Sequence, residues 1–124
     1  MKKLAKSWKS SKQPRKQRKY RINSGLHTKQ KFVSSHLSKD LREKYKKRSI
    51  GLRTGDKVKI VRGEFKGKTG AIEKVLLKRS KVIITGIDKE KKDGTKTKPL
   101  FEPSNLIITE ISVEDKKRKQ CLER

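Results

Sequence analysis

No acidic residue occurs before Asp40, and that absence constrains the chain more than any single motif. Twelve Lys or Arg residues fall within the first 31 positions with no carboxylate among them. Cations without counter-charges repel one another, and few apolar residues there reward collapse. Residues 1–23 therefore read as an extended arm that orders on a polyanionic surface, where phosphates replace water and counter-ions. The imbalance continues downstream: 38 Lys and Arg against 13 Asp and Glu give +25 over 124 residues, and only 29% of residues are hydrophobic. Such a chain can build one small domain with tails. Nucleic acid is the partner that this charge favours. An acidic membrane surface fits less well. No basic amphipathic stretch has a broad apolar face, and no run of about 18 apolar residues is present to span a bilayer. No apolar block follows the charged N-terminus, so no secretory signal is expected. A lone cysteine, Cys121, excludes an internal disulfide and fits a reducing compartment.

Charge also divides the chain. Residues 1–48 hold 18 basic and 2 acidic residues, whereas 49–124 hold 20 and 11. The expected organisation is a basic extension over 1–50, a globular unit over 51–111 and a short basic C-terminal helix over 112–124. In the extension the densest block is Pro14-Arg-Lys-Gln-Arg-Lys-Tyr-Arg21, which would also serve as a nuclear import signal. Trp8 and Tyr20 either stack on unpaired bases or plug small apolar gaps. Ser24 is a weak cap for a short helix carrying Leu26, Phe32 and Val33. A second helix is better marked, with Ser38 as cap, Asp40 and Glu43 early and Lys44, Lys46 and Lys47 late. Leu37, Leu41 and Tyr45, spaced by four, predict a narrow apolar docking stripe on it. His27 and His36 lack further ligands at metal-binding spacing and read as solvated or RNA-facing.

Within 51–111, period-two alternation and turn residues predict five short strands. The first holds Val58 and Ile60 between Lys57 and Lys59. A glycine-rich turn with Gly63, Gly67 and Gly70 leads to a second strand. Lys78-Arg79-Ser80 makes a tight connection to a third, and Asp93-Gly94 is a hairpin-turn dipeptide. A short fourth strand near Leu100 and Phe101 precedes a fifth over 106–111. The expected fold is mostly β, a small closed or nearly closed barrel. Its core candidates are Val58, Ile60, Ile72, Val75, Leu77, Val82, Ile84, Leu106 and Ile108. Ser112 followed by Asp115 predicts a capping box for the last helix, with Val113 and Leu122 as apolar anchors.

No enzymatic chemistry is expected. Gly67-Lys68-Thr69 resembles the end of a phosphate loop, but the glycine that pattern needs five residues earlier is Arg62, and a strand follows instead of a helix. Asp56, Glu64 and Glu73 are scattered among cations and read as local charge balance. No nucleophile–base set and no cofactor site is evident. The turn reads instead as a cationic loop in which Arg62, Lys66 and Lys68 meet phosphates, with Phe65 packed beneath it or stacked on a base.

The stretch Asp56-Lys-Val-Lys-Ile-Val-Arg-Gly-Glu-Phe-Lys-Gly-Lys-Thr-Gly-Ala-Ile72 resembles the KOW motif. Leu37-Ser-Lys-Asp-Leu-Arg-Glu-Lys-Tyr45 with Arg48-Ser49, then Pro103-Ser-Asn-Leu-Ile-Ile-Thr109, then Asp115-Lys-Lys-Arg-Lys-Gln-Cys-Leu-Glu-Arg124 narrow the likeness. Together they resemble the universal family of large-subunit ribosomal protein twenty-four, in its eukaryotic form protein twenty-six, over residues 12–124. Bacterial relatives largely lack an extension like 1–50, so the likeness is to eukaryotic and archaeal members. The resemblance implies a five-stranded SH3-like barrel bound to large-subunit ribosomal RNA near the peptide exit tunnel, beside neighbouring ribosomal proteins. It implies no enzymatic activity, no cofactor, no membrane segment and no homo-oligomer. It places the protein on cytoplasmic ribosomes, with nuclear and nucleolar passage during assembly in a eukaryote. The RNA-facing residues expected in the extension are Arg15, Lys16, Arg18, Lys19, Tyr20, Arg21, Lys29 and Lys31. Those expected in the globular part are Lys59, Arg62, Gly63, Phe65, Lys66, Gly67, Lys68, Lys78 and Arg79. The alternative reading is a KOW module of a transcription elongation factor. Such proteins usually place a separate mixed α/β domain before the KOW unit, where this chain has a basic arm.

Overall fold

The computed structural model describes residues 10–123. The expectations for Trp8 and for the first part of the arm lie outside them. The described chain opens with two helices, α1 (Pro14–Asn23) and α2 (Leu26–Phe32). The first corrects the expectation of an extended arm over 1–23 for the residues Pro14–Asn23. Pro14 stands at the start of α1, where a missing N–H costs nothing. Lys, Arg and Gln then fill the helix with straight-chain residues of good helix propensity. Ser24 is not the cap of α2, as its position suggested, since Gly25 holds that place. The Ser24 hydroxyl and backbone N–H both donate to the Tyr20 carbonyl and close the end of α1.

Strand β1 (Ser34–Leu37) follows, then α3 (Lys39–Tyr45) and β2 (Ser49–Gly51). The expected cap of α3 is in place: the Ser38 hydroxyl accepts from the Leu41 N–H. Lys46, at φ 51°, ends this helix in the left-handed region. Leu37 does not share a helical stripe with Leu41 and Tyr45. It lies on β1, fully buried in the core.

The remaining strands are β3 (Lys57–Ile60), β4 (Thr69–Leu76), β5 (Lys81–Ile84), the small hairpin β6 (Lys89–Glu90) and β7 (Lys96–Thr97), and β8 (Leu106–Glu110). A 3-10 turn, Pro103–Asn105, leads into β8, and α4 (Lys116–Glu123) ends the described chain. Six strands form one mixed sheet in the order β2-β1-β8-β3-β4-β5. All ladders in it are antiparallel except β1 with β8, where His36 lies opposite Ile107. Register shifts between Lys57 and Val58 and between Ile72 and Lys74 bend β3 and β4. The expected closed five-stranded barrel is therefore met in part. Four of the five predicted strands form, as β3, β4, β5 and β8, but the sheet gains β1 and β2. The expected fourth strand is only a single bridge between Val82 and Phe101, and no ladder joins β5 to β8 among the described residues.

The core gathers on one side of the bent sheet. Val58, Ile60, Ile72, Val82, Ile84, Leu106 and Ile108 are buried as expected, while Val75 and Leu77 are half-buried against them. Val33, Leu37, Leu52, Ile87 and Phe101 complete it. Gly70 shows how tightly β4 and β5 cross. A Cβ there would sit 2.6 Å from the Ile84 Cγ2 and 2.8 Å from the Thr85 carbonyl oxygen. The close approach that this glycine permits is thus to the chain's own backbone.

The last helix is held by an interaction that the sequence reading missed. Asp56, taken as local charge balance, is completely buried, and Arg118 on α4 is 4% exposed. The two guanidinium Nη atoms each donate to one Asp56 carboxylate oxygen at 2.6 Å. The backbone N–H groups of Arg53 and Ser112 donate to the same carboxylate at 2.9 and 3.1 Å. Arg118 also donates to the carbonyls of Ser112 and Gly51. The expected capping box is corrected accordingly. Ser112 is engaged with Asp56 and Arg118, and the Asp115 carboxylate alone accepts from the Lys117 N–H at 2.8 Å. Leu122 anchors the helix in a buried position, whereas Val113 is exposed.

Candidate nucleic-acid interface

The turn between β3 and β4 is built by its own backbone. The Gly67 N–H donates to the Ile60 carbonyl at 2.8 Å, and the Lys66 N–H donates to Gly63 at 3.1 Å. Gly63 and Gly67 have φ of 96° and 90°, a region L-residues rarely adopt, and nothing lies within 4 Å of a Cβ placed on either. They shape the loop without packing against anything. Phe65 packs beneath the loop: its ring meets Phe101 edge-on, with centroids 5.9 Å apart. Lys68 Nζ sits 5.2 Å above the same ring. This arrangement occupies Phe65 with its own domain. Arg62, Lys66 and Lys68 are exposed around it.

The other expected residues occupy three further places. Arg15, Lys16, Arg18, Lys19 and Arg21 are exposed on α1 and spread over more than half of its circumference, leaving the face of Gln13, Gln17 and Tyr20 uncharged. Tyr20 is half-buried, edge-on to Phe32 at 6.1 Å, so it holds α1 to α2. On α2, Lys31 is exposed, while Lys29 reaches back to the Ile22 carbonyl at 3.3 Å. Lys59 is exposed on β3. Lys78 and Arg79 sit on the tight β4–β5 connection, closed by Arg79 N–H to Leu76 and by Ser80 at φ 52°.

The segment 101–105 brings several of these places together. Phe101 carries the loop through Phe65, and the Asn105 carbonyl accepts from the Val61 N–H at the loop's base. Pro103 and Ser104 share a crevice with Arg21, Phe32 and Ser80, so the end of α1 and the β4–β5 connection face the same segment. The sequence reading missed this crevice because β1, which contributes Ser34 and His36 to it, was not foreseen.

Carboxylates pair with cations outside this set. Among the described residues, ion pairs engage Arg53, Lys57, Lys81, Lys89, Lys98, Arg118 and Lys119. None of the expected RNA-facing Lys or Arg is in that set. Glu64 and Glu73, close to the loop in sequence, are taken by Lys89 and Lys98 instead. Asp115 lies beside Arg53, away from these cations. The Arg53 guanidinium that bonds it, then the Lys117 N–H, hold its carboxyl below the ordinary value of 3.8. No group of three or more His, Cys, Asp or Glu that could hold a metal occurs among the described residues. No described helix is long and apolar enough to cross a membrane.

Comparison with known proteins identifies the family. The family model for the eukaryotic ribosomal proteins L26 and their archaeal L24-type counterparts matches residues 11–124. The chain is 46% identical to the large ribosomal subunit protein uL24 of Methanosphaera stadtmanae over 92% of this chain and 97% of that one. It is 46% identical to uL24 of Methanocorpusculum labreanum, covering 92% and 94% of the two chains. It is 42% identical to uL24 of Methanothrix thermoacetophila, covering 92% and 98%. A match this complete carries the structural, non-enzymatic character of these proteins with it. The chain belongs to the family of large-subunit ribosomal proteins that comprises eukaryotic L26 and its archaeal L24-type counterparts.

Proposed function

We propose that the protein binds large-subunit ribosomal RNA through the cations of α1 and α2, the β3–β4 loop and the β4–β5 connection. The observation that carries this reading is the carboxylate distribution. Among the described residues, the expected RNA-facing cations have no internal counter-ion, and the ion pairs that form engage seven other basic residues of the domain. Phosphates supply that counter-charge, and release of condensed ions drives association. The sheet fixes where the cations stand, so the contacts position the protein and read little sequence. The bent sheet, with its Val82–Phe101 bridge and the turn before β8, is proposed to work as an SH3-like barrel. The protein is placed near the outer end of the peptide exit tunnel beside other large-subunit proteins, as a single copy, on ribosomes in the cytoplasm. Passage through the nucleus would apply in a eukaryotic cell.

Cosedimentation tests this reading. Tagged protein should remain with large subunits through a high-salt wash. Recovery with RNA polymerase instead would sink the proposal and restore the elongation-factor alternative.

A further inference from the structure

We propose that the crevice between the basic extension and the segment 101–105 receives one unstacked nucleotide of the bound RNA. This rests on the RNA-binding reading above and adds a place where a single base is held. The crevice has a volume of about 300 Å3. That is the lower end of the roughly 300–1,000 Å3 found for small-ligand sites, too small for a duplex. Phe32 and Pro103 give it apolar surface on which a base can lie. Ser34, Ser49, Ser80 and Ser104 give it hydroxyls. Among the described residues, none of these four hydroxyls makes a hydrogen bond, so each is free to meet a base edge or a ribose.

The charge in the crevice suits an anionic ligand. Glu102 is already held by Lys81. Arg21 stands 5.8 Å above the Phe32 ring and has no carboxylate partner among the described residues. A nucleotide laid against Phe32 would therefore bring its phosphate to a guanidinium that no carboxylate holds. His36 adds a defined donor. Arg42 Nη2 lies 3.1 Å from His36 Nδ1. A guanidinium can only donate, so Nδ1 accepts and the ring proton of the neutral imidazole resides on Nε2. The crevice thus offers an apolar face, a ring N–H, hydroxyls that donate or accept, and one cation. That set matches an unpaired base with its phosphate, the element through which proteins commonly recognise RNA.

The test is base-specific chemical probing of the full chain on a large-subunit ribosomal RNA fragment. Ser104→Phe fills the crevice from an exposed position on the 3-10 turn. In the wild-type complex one unpaired base should be protected, and in Ser104→Phe that base should become reactive while backbone protections persist. Affinity for the fragment should fall by about 5- to 150-fold, the contribution of one held base, and affinity for a fully paired duplex should not change. If the wild-type protein binds the fragment but the same bases react in both complexes, the crevice proposal fails and the RNA-binding reading stands. If the wild-type protein does not bind the fragment, both fail. If Ser104→Phe loses its thermal transition, His36→Ala must expose the same base; unchanged protection there overturns the proposal.

Discussion

The two ends of strand β3 treat charge in opposite ways. At its start Asp56 is sealed from water with Arg118 of α4, and four donors converge on its carboxylate. Just past its end Arg62 stands in an exposed loop with Lys66 and Lys68, and no carboxylate among the described residues answers them. The same kind of side chain, an arginine, is thus used for architecture in one place and left in solvent in the other. The difference lies in solvation. A buried guanidinium costs several kcal/mol in lost hydration, which its bonded carboxylate must offset. An exposed one keeps its water until a phosphate replaces it.

Breaking the buried end should give the largest effect. Arg118→Met leaves Asp56 charged and buried with only two backbone donors, so chemical denaturation should show a loss of about 3–5 kcal/mol. Arg118→Met with Asp56→Leu should recover only part of that loss, because the Arg53 and Ser112 N–H groups would then lose their acceptor. A stability change below about 1 kcal/mol in the single variant would mean that the pair behaves like a surface one.

Charge reversal at the open end should leave the fold nearly intact. Arg62, Lys66 and Lys68 changed together to Glu should lower stability by no more than about 1 kcal/mol, chiefly through the lost cation over Phe65. Binding to the ribosomal RNA fragment should weaken strongly, with a salt slope shallower by about 2–3 units, one per lost phosphate contact. An unchanged slope in a titration of affinity against salt would count against an RNA-facing loop.

The smallest effect belongs to Asp115, which pairs with Arg53 near the buried end but at the surface. Its carboxyl is held below the ordinary value of 3.8. The stabilisation it gives is therefore full above that value and lost as pH falls through the lower, folded one. Asp115→Asn should lower the melting midpoint slightly at neutral pH, and the gap to wild type should close in acid. A gap that widened in acid would contradict this assignment.

Local patterning was legible from the sequence. The Ser38 cap, the seven buried core residues on β3, β4, β5 and β8, and the positive-φ Gly94 of the Asp93-Gly94 turn all follow from spacing or residue chemistry. Pairings between distant positions were not legible. Strand β1 holds a single large apolar residue, Leu37, and its place comes from a parallel ladder to residues 107 and 108. Asp56 looked like one acid among many because its partner lies 62 residues further on. The helix α1 was misread because the missing acids drew attention to repulsion, while Pro14 and the straight-chain residues set the backbone. In the candidate interface the loop cations were evident, but the crevice beside them was not. It requires Arg21, β1, the β4–β5 connection and the segment 101–105 to meet.

Strand β8 has a consequence for the order in which the molecule can assemble. It lies between β1 and β3, at the middle of the sheet, yet it is the last strand in the sequence. The β1–β2 pair and the β3–β4–β5 meander are both local and can form early, since short loops close at little entropic cost. Neither half can join the other until residues 106–110 are present. Strand β8 is therefore the keystone, and the sheet becomes one cooperative unit only once residues 106–110 have joined it.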